Sequence, residues 1–255
     1  MLNKLLKITV CVTLFLFSYK LYSNDVMLYS YNGLPQLNEV INNELIDIKP
    51  IEGKTYSLTN GLSIDTSTNC LYSIYTFPNK IAIAQMQDTQ TYFSEFDIEY
   101  KNNPEIPELV NIDKSDFIFS FIGSIYCKSL STQTNIINTK LANIIFSEAT
   151  LFVRSDPKYT HVYVINGTAI VIDSKSTKKQ KELKEGDYLV VTPKINLSNG
   201  KGMSVNTSSG NSFSMREIEE DENSSFNEFN KILQECLDKS LFINIKSNII
   251  GVKIK

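Results

Sequence analysis

Short runs in which apolar and polar residues alternate fill most of the chain from Gly53 to Met215. In residues 80–86, the larger apolar side chains nearly follow the two-residue period of a half-buried strand. The runs are rich in β-branched and aromatic residues, and turn residues separate them, which is typical of β-strands. They lie at 55–58, 62–65, 70–77, 81–86, 91–96, 117–121, 124–127, 144–146, 149–153, 161–165, 169–173 and 188–191. The pattern predicts a mainly β fold.

A helical period replaces this alternation after the acidic run 217–223. Ser225 and Glu228 form a capping-box pattern. The apolar residues that follow recur at helical spacing: Phe226, Phe229, Ile232, Leu233, Cys236 and Leu237. We therefore expect one amphipathic helix over 226–239, packed on the β-domain.

The two ends of the exported protein show weaker patterns. Two short apolar runs, 241–245 and 249–254, predict two short strands after the helix. Residues 24–52 show no regular period, so we expect an irregular segment there, with one short helix over 38–47.

Residues 1–23 have the three parts of an export signal. Two lysines form a basic start, residues 8–17 an apolar core, and residues 18–23 a more polar exit that predicts cleavage after Ser23. The core is shorter than the roughly 20 residues that span a bilayer. We expect an exported protein, periplasmic or associated with the cell envelope, without a stable membrane span after cleavage. A retained anchor and a lipoprotein signal are the alternatives.

The charge of the protein argues against nucleic acid as a partner. Removal of residues 1–23 takes away three lysines and no acid, which leaves 22 basic and 28 acidic residues. A mildly acidic protein attracts nucleic acid poorly. The densest basic segment, 175–184, carries five lysines and is expected to be a solvated loop, with a patch for an anionic ligand as the alternative.

No pattern typical of a catalytic, metal-binding or cofactor-binding site stands out. The single histidine, His161, has no Cys or His at metal-ligand spacing, and its strand places it on the same side as Tyr163 and Ile165. Two carboxylate pairs, Asp97 with Glu99 and Glu185 with Asp187, have the spacing of strands or turns. We therefore expect no enzyme, no cofactor and no metal.

Three cysteines follow residue 23: Cys70, Cys127 and Cys236. At least one of them cannot pair within the protein, and no two are close in sequence. We expect buried free thiols, although a pair between Cys70 and Cys127 stays open.

The order of elements in 134–193 is the most informative feature. Strands at 144–153 are followed by a polar turn, the strand 161–165, Asn166-Gly167, a further strand, Glu185-Gly186-Asp187 and a last strand. This order resembles the FecR family of extracytoplasmic β-domains, in which a V-x-V-x-x-G-x-x-x-V strand pair precedes L-x-x-G-x. Gly167 and Gly186 match two family glycines, which the resemblance identifies as structural turn residues, whereas Ala149 replaces a third.

The resemblance implies a fold and a class of function. It implies a β-roll or short β-solenoid over 53–215, with a β-sandwich as the alternative. Residues 216–255, which contain the acidic run, the amphipathic helix and the two short strands, follow this domain. It also implies a non-catalytic domain that binds a protein partner or an envelope polymer. A periplasmic component of a sigma/anti-sigma signalling system, without the cytoplasmic anti-sigma segment, is the alternative, and a cell-wall glycan hydrolase is a remote one.

Overall fold

The computed structural model describes residues 25–41, 44–58, 61–66, 69–93, 117–194, 210–218 and 220–250. The predicted export signal and the carboxylate pair at 97 and 99 lie outside these residues. The described elements are β1 (Asp25–Gly33), β2 (Gln36–Ile41), β3 (Glu44–Ile48), β4 (Thr55–Ser57), β5 (Leu62–Asp65), β6 (Cys70–Phe77), β7 (Ile81–Met86), β8 (Gln90–Phe93), β9 (Phe117–Ser129), β10 (Asn135–Asn138), β11 (Ala142–Ser155), β12 (Thr160–Asp173), β13 (Ser176–Lys184), β14 (Tyr188–Pro193), β15 (Asn211–Arg216) and α1 (Glu220–Ile250).

All of these strands belong to one open sheet. Its main path runs β15-β14-β12-β11-β10-β9-β7-β6-β1-β4, and β13, β8, β5, β2 and β3 pair beside that path. The described pairings are antiparallel except for the parallel pair β9–β10. The prediction of a mainly β fold with one C-terminal helix is confirmed for the described residues.

Long strands fold this sheet into two layers. The first half of β11 pairs with β10, and its second half, 150–155, pairs with β9. Between the halves, Glu148 has a φ of +41°, and the neighbouring Gly167 and Gly186 both have a φ of +86°. At the opposite end, Asp88 between β7 and β8 and Gly123 in β9 have left-handed φ angles of +57° and +118°. The strands therefore turn from one layer into the other at both ends.

We call the two layers the helix-side layer and the far layer. The helix-side layer contains β1, β4, β6, β7, β14 and β15 with 123–129, 150–155 and 160–166; the far layer contains β2, β3, β5, β8, β10 and β13 with 117–122, 142–147 and 168–173.

One hydrophobic core fills the space between the layers. Phe77 at the end of β6 and Phe93 in β8 have ring centroids 5.3 Å apart, and Tyr75 meets Phe93 edge-on at 5.4 Å. Phe77 pairs with the first residue of β7, and Phe93 follows that residue by about a dozen positions along the sequence. In a flat sheet the two phenylalanines would therefore lie roughly 40 Å apart. Only a sheet folded onto itself brings these rings together. The side chain of Asn211 in β15 also joins the layers, because it donates to the Leu141 carbonyl and to Asp173.

The N-terminal segment is part of the sheet, so the prediction of an irregular 24–52 is wrong. β1 pairs with both β4 and β6, and β2 and β3 form a hairpin where a helix over 38–47 was expected. In that hairpin Leu37 pairs with Ile48 and Val40 with Leu45. The apolar residues here fit the cross-strand pairing of a hairpin, and that pairing decides the local structure.

The turn expected at Asn166-Gly167 does not form, because both residues lie inside the continuous strand β12. Gly167 instead faces a bulge in β11, and a Cβ added there would lie 2.9 Å from the Ala149 Cβ. Gly186 lies in a turn, since the Asp187 N–H donates to the Lys184 carbonyl at 2.9 Å. Positive φ in β11 falls on Glu148, one residue before Ala149.

The lysine-rich segment forms a strand instead of the expected loop. β13 covers Ser176–Lys184 and pairs with β12, and its other edge carries no described strand. Most of its side chains are exposed. Lysines at an exposed edge discourage pairing with another protein, which accounts for them without a ligand.

Helix α1 is longer than predicted at both ends. It begins at Glu220, so Ser225 lies inside the first turns and does not cap them. Acidic residues are favourable at the positive end of a helix, which explains the early start. The strand expected at 241–245 is wrong because the helix continues to Ile250, and neither Gly nor Pro interrupts 211–250. Of the second expected strand, 249–250 are helical and the remainder lies outside the described residues.

The N-terminal part of α1 covers the outer face of the helix-side layer. A second hydrophobic cluster lies between them and contains Ile74, Ala82, Ala84, Tyr126, Tyr163, Ile165, Tyr188, Phe226, Leu233, Cys236 and Leu237. Their strand neighbours, such as Ile83 and Cys127, face the core between the layers. A buried polar contact fixes the helix position: Lys128 Nζ donates to Asn230 Oδ1 at 2.7 Å, and burial lowers the Lys128 pKa.

Gly167→Ala should destabilise the protein more than Gly186→Ala, although both glycines have the same φ. An alanine at positive φ costs about 1–2 kcal/mol. Only the Gly167 variant adds a clash, which costs about 1–3 kcal/mol more, because nothing lies within 4 Å of a Cβ at Gly186. Urea unfolding measures both losses. Equal losses would show that the contact between Gly167 and β11 is not tight.

Asn230→Ala should lower the free energy of unfolding by about 1.5–3 kcal/mol, because it removes the closer acceptor of the buried Lys128 ammonium, at 2.7 Å, and leaves it only Thr150 Oγ1 at 3.3 Å. Lys231→Ala, at an exposed position of the same helix, is the control and should change little. Combining Asn230→Leu with Lys128→Met removes both polar groups and should recover most of the loss. No recovery in urea unfolding of the double variant would contradict this account.

Candidate functional site

A cleft of about 320 Å³ lies where α1 begins on the outer face of the helix-side layer. Its walls come from the five strands β9, β11, β12, β14 and β15 and from the first turns of the helix. The residues that line it are Tyr126, Phe152, Arg154, His161, Tyr188, Arg216, Glu222, Ser225 and Phe226.

This cleft collects rare residue types of the protein. The sequence has two arginines and one histidine, and all three line the cleft. Strand register explains how they meet: Arg154 in β11 is opposite His161 in β12, and Tyr188 in β14 is opposite Arg216 in β15. Because side chains alternate along strands, these residues share the outer face with the aromatic residues under α1.

Arg216 makes three contacts with two residues of the cleft, Glu222 and Tyr188. Its Nη2 contacts Glu222 Oε2 at 2.7 Å, and its Nη1 donates to the Tyr188 hydroxyl at 3.3 Å. Its guanidinium also lies over the Tyr188 ring, 4.7 Å from the centroid. The ion pair is half-buried, since the two side chains are 33% and 30% exposed. A guanidinium stacked on an aromatic ring is oriented to bind a carboxylate through its edge.

His161 is connected to the same group. Its Nδ1 lies 3.1 Å from the Tyr188 hydroxyl, which accepts from Arg216 and can donate its own proton to His161. Neutral His161 would then carry its proton on Nε2. Burial lowers the His161 pKa, and the positive charges of Arg154 and Arg216 lower it further, against the opposing effect of nearby acids.

Arg154 is the more exposed cation of the cleft. Its guanidinium lies over the Tyr159 ring at 5.6 Å, and Tyr159 meets His161 edge-on at 4.8 Å. Among the described residues, no carboxylate forms an ion pair with Arg154 within 4 Å. Asp156, the nearest acid in sequence, accepts from the backbone N–H groups of Lys158 and Tyr159.

The arrangement is suited to holding an anionic group. Two guanidinium groups and one internal carboxylate give the lining one net positive charge within an acidic protein. Buried aromatic rings beneath them limit the access of water, which strengthens electrostatic contacts. In the part of the protein that the structure describes, no group of three or more His, Cys, Asp or Glu side chains could hold a metal ion.

The sequence-predicted site residues lie elsewhere. Gly167 and Gly186 are at the bend between the layers and do not line the cleft. Glu185 and Asp187 stabilise the turn, because Glu185 accepts from Asn166 Nδ2 at 3.0 Å and Asp187 from the Lys184 N–H at 2.8 Å. His161 does share a face with Tyr163 and Ile165, as alternation predicts.

The cleft could not be predicted from the sequence because the residues that line it are far apart in the sequence. In the sequence, His161 has no partner at the spacing of a metal site or of a catalytic site, so neither pattern identifies it. The signal that the sequence does offer is the rarity of arginine, since only two of its 25 lysine and arginine residues are arginines. Pairing of β11 with β12 and of β14 with β15 is needed to bring them together.

The three described cysteines are free and buried, which confirms the prediction for them. Burial raises the pKa of Cys236 to about 11 and also raises the pKa of Cys127 and Cys70. These thiols therefore stay protonated and unreactive at neutral pH.

The described helix is not long and apolar enough to cross a bilayer.

Comparisons with known proteins leave the family of this protein open. No protein-family profile matches it, and no curated protein matches it. Among the solved structures to which it is similar are two crystal structures of a "putative anti-sigma factor" from Parabacteroides distasonis. The structure at 1.65 Å has a TM-score of 0.41 and 12% identity, covering 61% of this protein and 60% of that one. The structure at 2.50 Å has a TM-score of 0.39 and 12% identity, covering 57% and 56%.

The match thus spans about three fifths of the length of those relatives. Likeness at these TM-scores carries no argument about function, and the resemblance to the FecR family stays a prediction.

His161 should titrate below its usual pKa of about 6.5, because burial and two guanidinium groups disfavour its charged form. As the single histidine, it gives one imidazole Hε1 signal when no histidine tag is present. Arg154→Gln should raise this pKa, and Lys181→Gln on β13 should leave it unchanged. A normal pKa in the unmodified protein, read by NMR titration, would contradict the described cleft.

The same shift predicts a dependence of stability on pH. The unfolded protein takes up this proton first as the pH falls, so the stabilisation is complete above about pH 6.5. It is lost as the pH falls toward the lower pKa of the folded protein. His161→Gln should reduce this part of the pH dependence in urea unfolding between pH 7 and 5. An unchanged slope would argue against burial of a neutral His161.

Proposed function

We propose that this protein is an exported domain that acts by binding and not by catalysis, and that its cleft receives a negatively charged group of a protein partner. The observation that supports this most strongly is the convergence of both arginines and the single histidine on one cleft. In a protein with 22 basic and 28 acidic residues after residue 23, such a cleft is a local positive site that selects anions.

The size of the cleft favours a protein partner over an envelope polymer. Ligand pockets usually measure about 300–1,000 Å³, and this cleft is at the small end of that range. A volume of this size suits one side chain of a partner, whereas a polymer requires an extended groove. The alternative role in envelope signalling stays a prediction, because no described contact favours it.

The surroundings of the cleft also fit an interface. Ser225 and Arg154 are exposed at its mouth, whereas Tyr126, Tyr188 and Phe226 form a buried aromatic base. Interfaces typically combine an aromatic and arginine centre with a polar rim.

Export is tested by the mass and N-terminal sequence of the native protein. A species that begins near Asn24 in a soluble envelope fraction is expected. A membrane-bound species that keeps Met1 would contradict the proposed export and support the retained anchor.

Partner binding is tested by site-specific photo-crosslinking in the native cells. A photoreactive residue at Ser225, beside the cleft, should form a crosslink to a protein, whereas one at Lys181 on β13 should not. Arg154→Glu should remove the Ser225 crosslink by reversing the charge of the cleft, and the matched reversal Lys181→Glu should not.

Two outcomes would contradict the proposal. A Ser225 crosslink that survives Arg154→Glu would show that the charge of the cleft does not select the partner. A crosslink to glycan instead of protein would support the envelope-polymer alternative.

A further inference from the structure

We infer that the cleft is a carboxylate-binding site in which Glu222 is the resident ligand, and that the partner presents an aspartate, a glutamate or a terminal carboxylate that replaces Glu222 on Arg216. This inference rests on the proposed function and specifies the chemistry of the partner.

The first observation is that the cleft already binds a carboxylate. Glu222 Oε2 contacts Arg216 Nη2 at 2.7 Å, while the Tyr188 ring and hydroxyl hold the guanidinium from the other side. Arg216 is thus oriented by Tyr188 independently of Glu222. A carboxylate from a partner would meet a guanidinium that is already in place, which lowers the entropy cost of binding.

The second observation concerns the charge of the lining. Arg154 and Arg216 are cations, and Glu222 is the one acid that lines the cleft among the described residues. With Glu222 on Arg216 their sum is one positive charge, and a partner carboxylate that takes the place of Glu222 leaves that sum unchanged. His161 adds no further positive charge at neutral pH, because burial and both arginines lower its pKa.

The third observation is the position of Glu222. It lies in the first turn of α1, and its side chain is 30% exposed, so it can move into solvent without unfolding the helix. Its negative charge remains favourable near the helix N-terminus after it leaves Arg216.

Exchange of one carboxylate for another keeps Arg216 paired throughout. The incoming group gains a second cation, Arg154, whereas the described ion pair of Glu222 is with Arg216. An external carboxylate therefore competes with Glu222 through Arg154, and removal of Glu222 should make the site more receptive.

The experiment is an NMR titration of the full-length protein without a histidine tag, with the His161 Hε1 signal as the readout. The probes are acetate and N-acetyl-glutamate, with inorganic phosphate as the comparison anion. Glu222→Gln should tighten binding of the carboxylates roughly two- to fivefold, the range that an exposed to half-buried ion pair permits. Glu228→Gln, at an exposed position of the same helix, is the matched control and should leave the affinity unchanged.

Two arginine variants test the assigned contacts. Arg216→Gln should abolish the shift of the His161 signal by carboxylates, and Arg216→Lys should retain part of it. Circular dichroism of each variant checks that the fold is kept, and the position of the Hε1 signal checks the cleft itself.

Three results would overturn the inference. They are weaker or unchanged carboxylate binding by Glu222→Gln, binding of phosphate as tight as that of acetate, and binding that survives Arg216→Gln. Such results together with an Arg154-dependent crosslink at Ser225 would leave the proposed function intact. A Ser225 crosslink that does not depend on Arg154 would instead contradict the proposed function, whatever the result of the carboxylate titrations.

Discussion

The architecture depends on backbone turns that carry strands from one layer into the other. At one end these turns use Glu148, Gly167 and Gly186, and at the other end Asp88 and Gly123, all with positive φ. Glu148 and Asp88 have side chains that disfavour a positive φ, at a cost of about 1–3 kcal/mol each. The core between the layers offsets that cost, because it exists only if the strands bend there.

The bend also determines where the helix and the cleft lie. Each strand of the helix-side layer turns one face to the core, so its other face needs a second cover. Helix α1 provides it, with Phe226 and Leu233 packed against outward-facing tyrosines and alanines. The cleft forms where this cover begins, since Glu222 meets Arg216 there and both lie beside His161.

Local pattern predicted much of the fold. β6 and β7 were predicted with their observed limits. The apolar residues of β7 nearly fit the period of a strand, whereas β6 was predicted from its aromatic and β-branched residues and the turn residues after it. The turn at Gly186 was predicted from its glycine. The hairpin β2–β3 and the second half of α1 were not, because short apolar runs such as 241–245 fit either period. Asn166-Gly167 shows a different limit: a turn signal marks positive φ, but long-range pairing decides whether the backbone reverses there.

The cleft could not be predicted because it depends on register between strands far apart in sequence. Arg154 and Arg216 are separated by 61 intervening residues, and only the order β11-β12-β14-β15 places them at one cleft. His161 could be assigned to a face, but its neighbours across the sheet could not be named.

The most direct test of this architecture is whether α1 covers the helix-side layer in solution. Native-state alkylation with peptide mass mapping measures this, because Cys236 lies on the face of α1 that packs against the sheet, at 2% exposure, and Cys127 lies in the core at 0%. If the helix covers the sheet, both thiols should react only as slowly as the protein unfolds. Rapid labelling of Cys236 while Cys127 stays protected would show that the helix does not cover the sheet, and that the cleft is not formed.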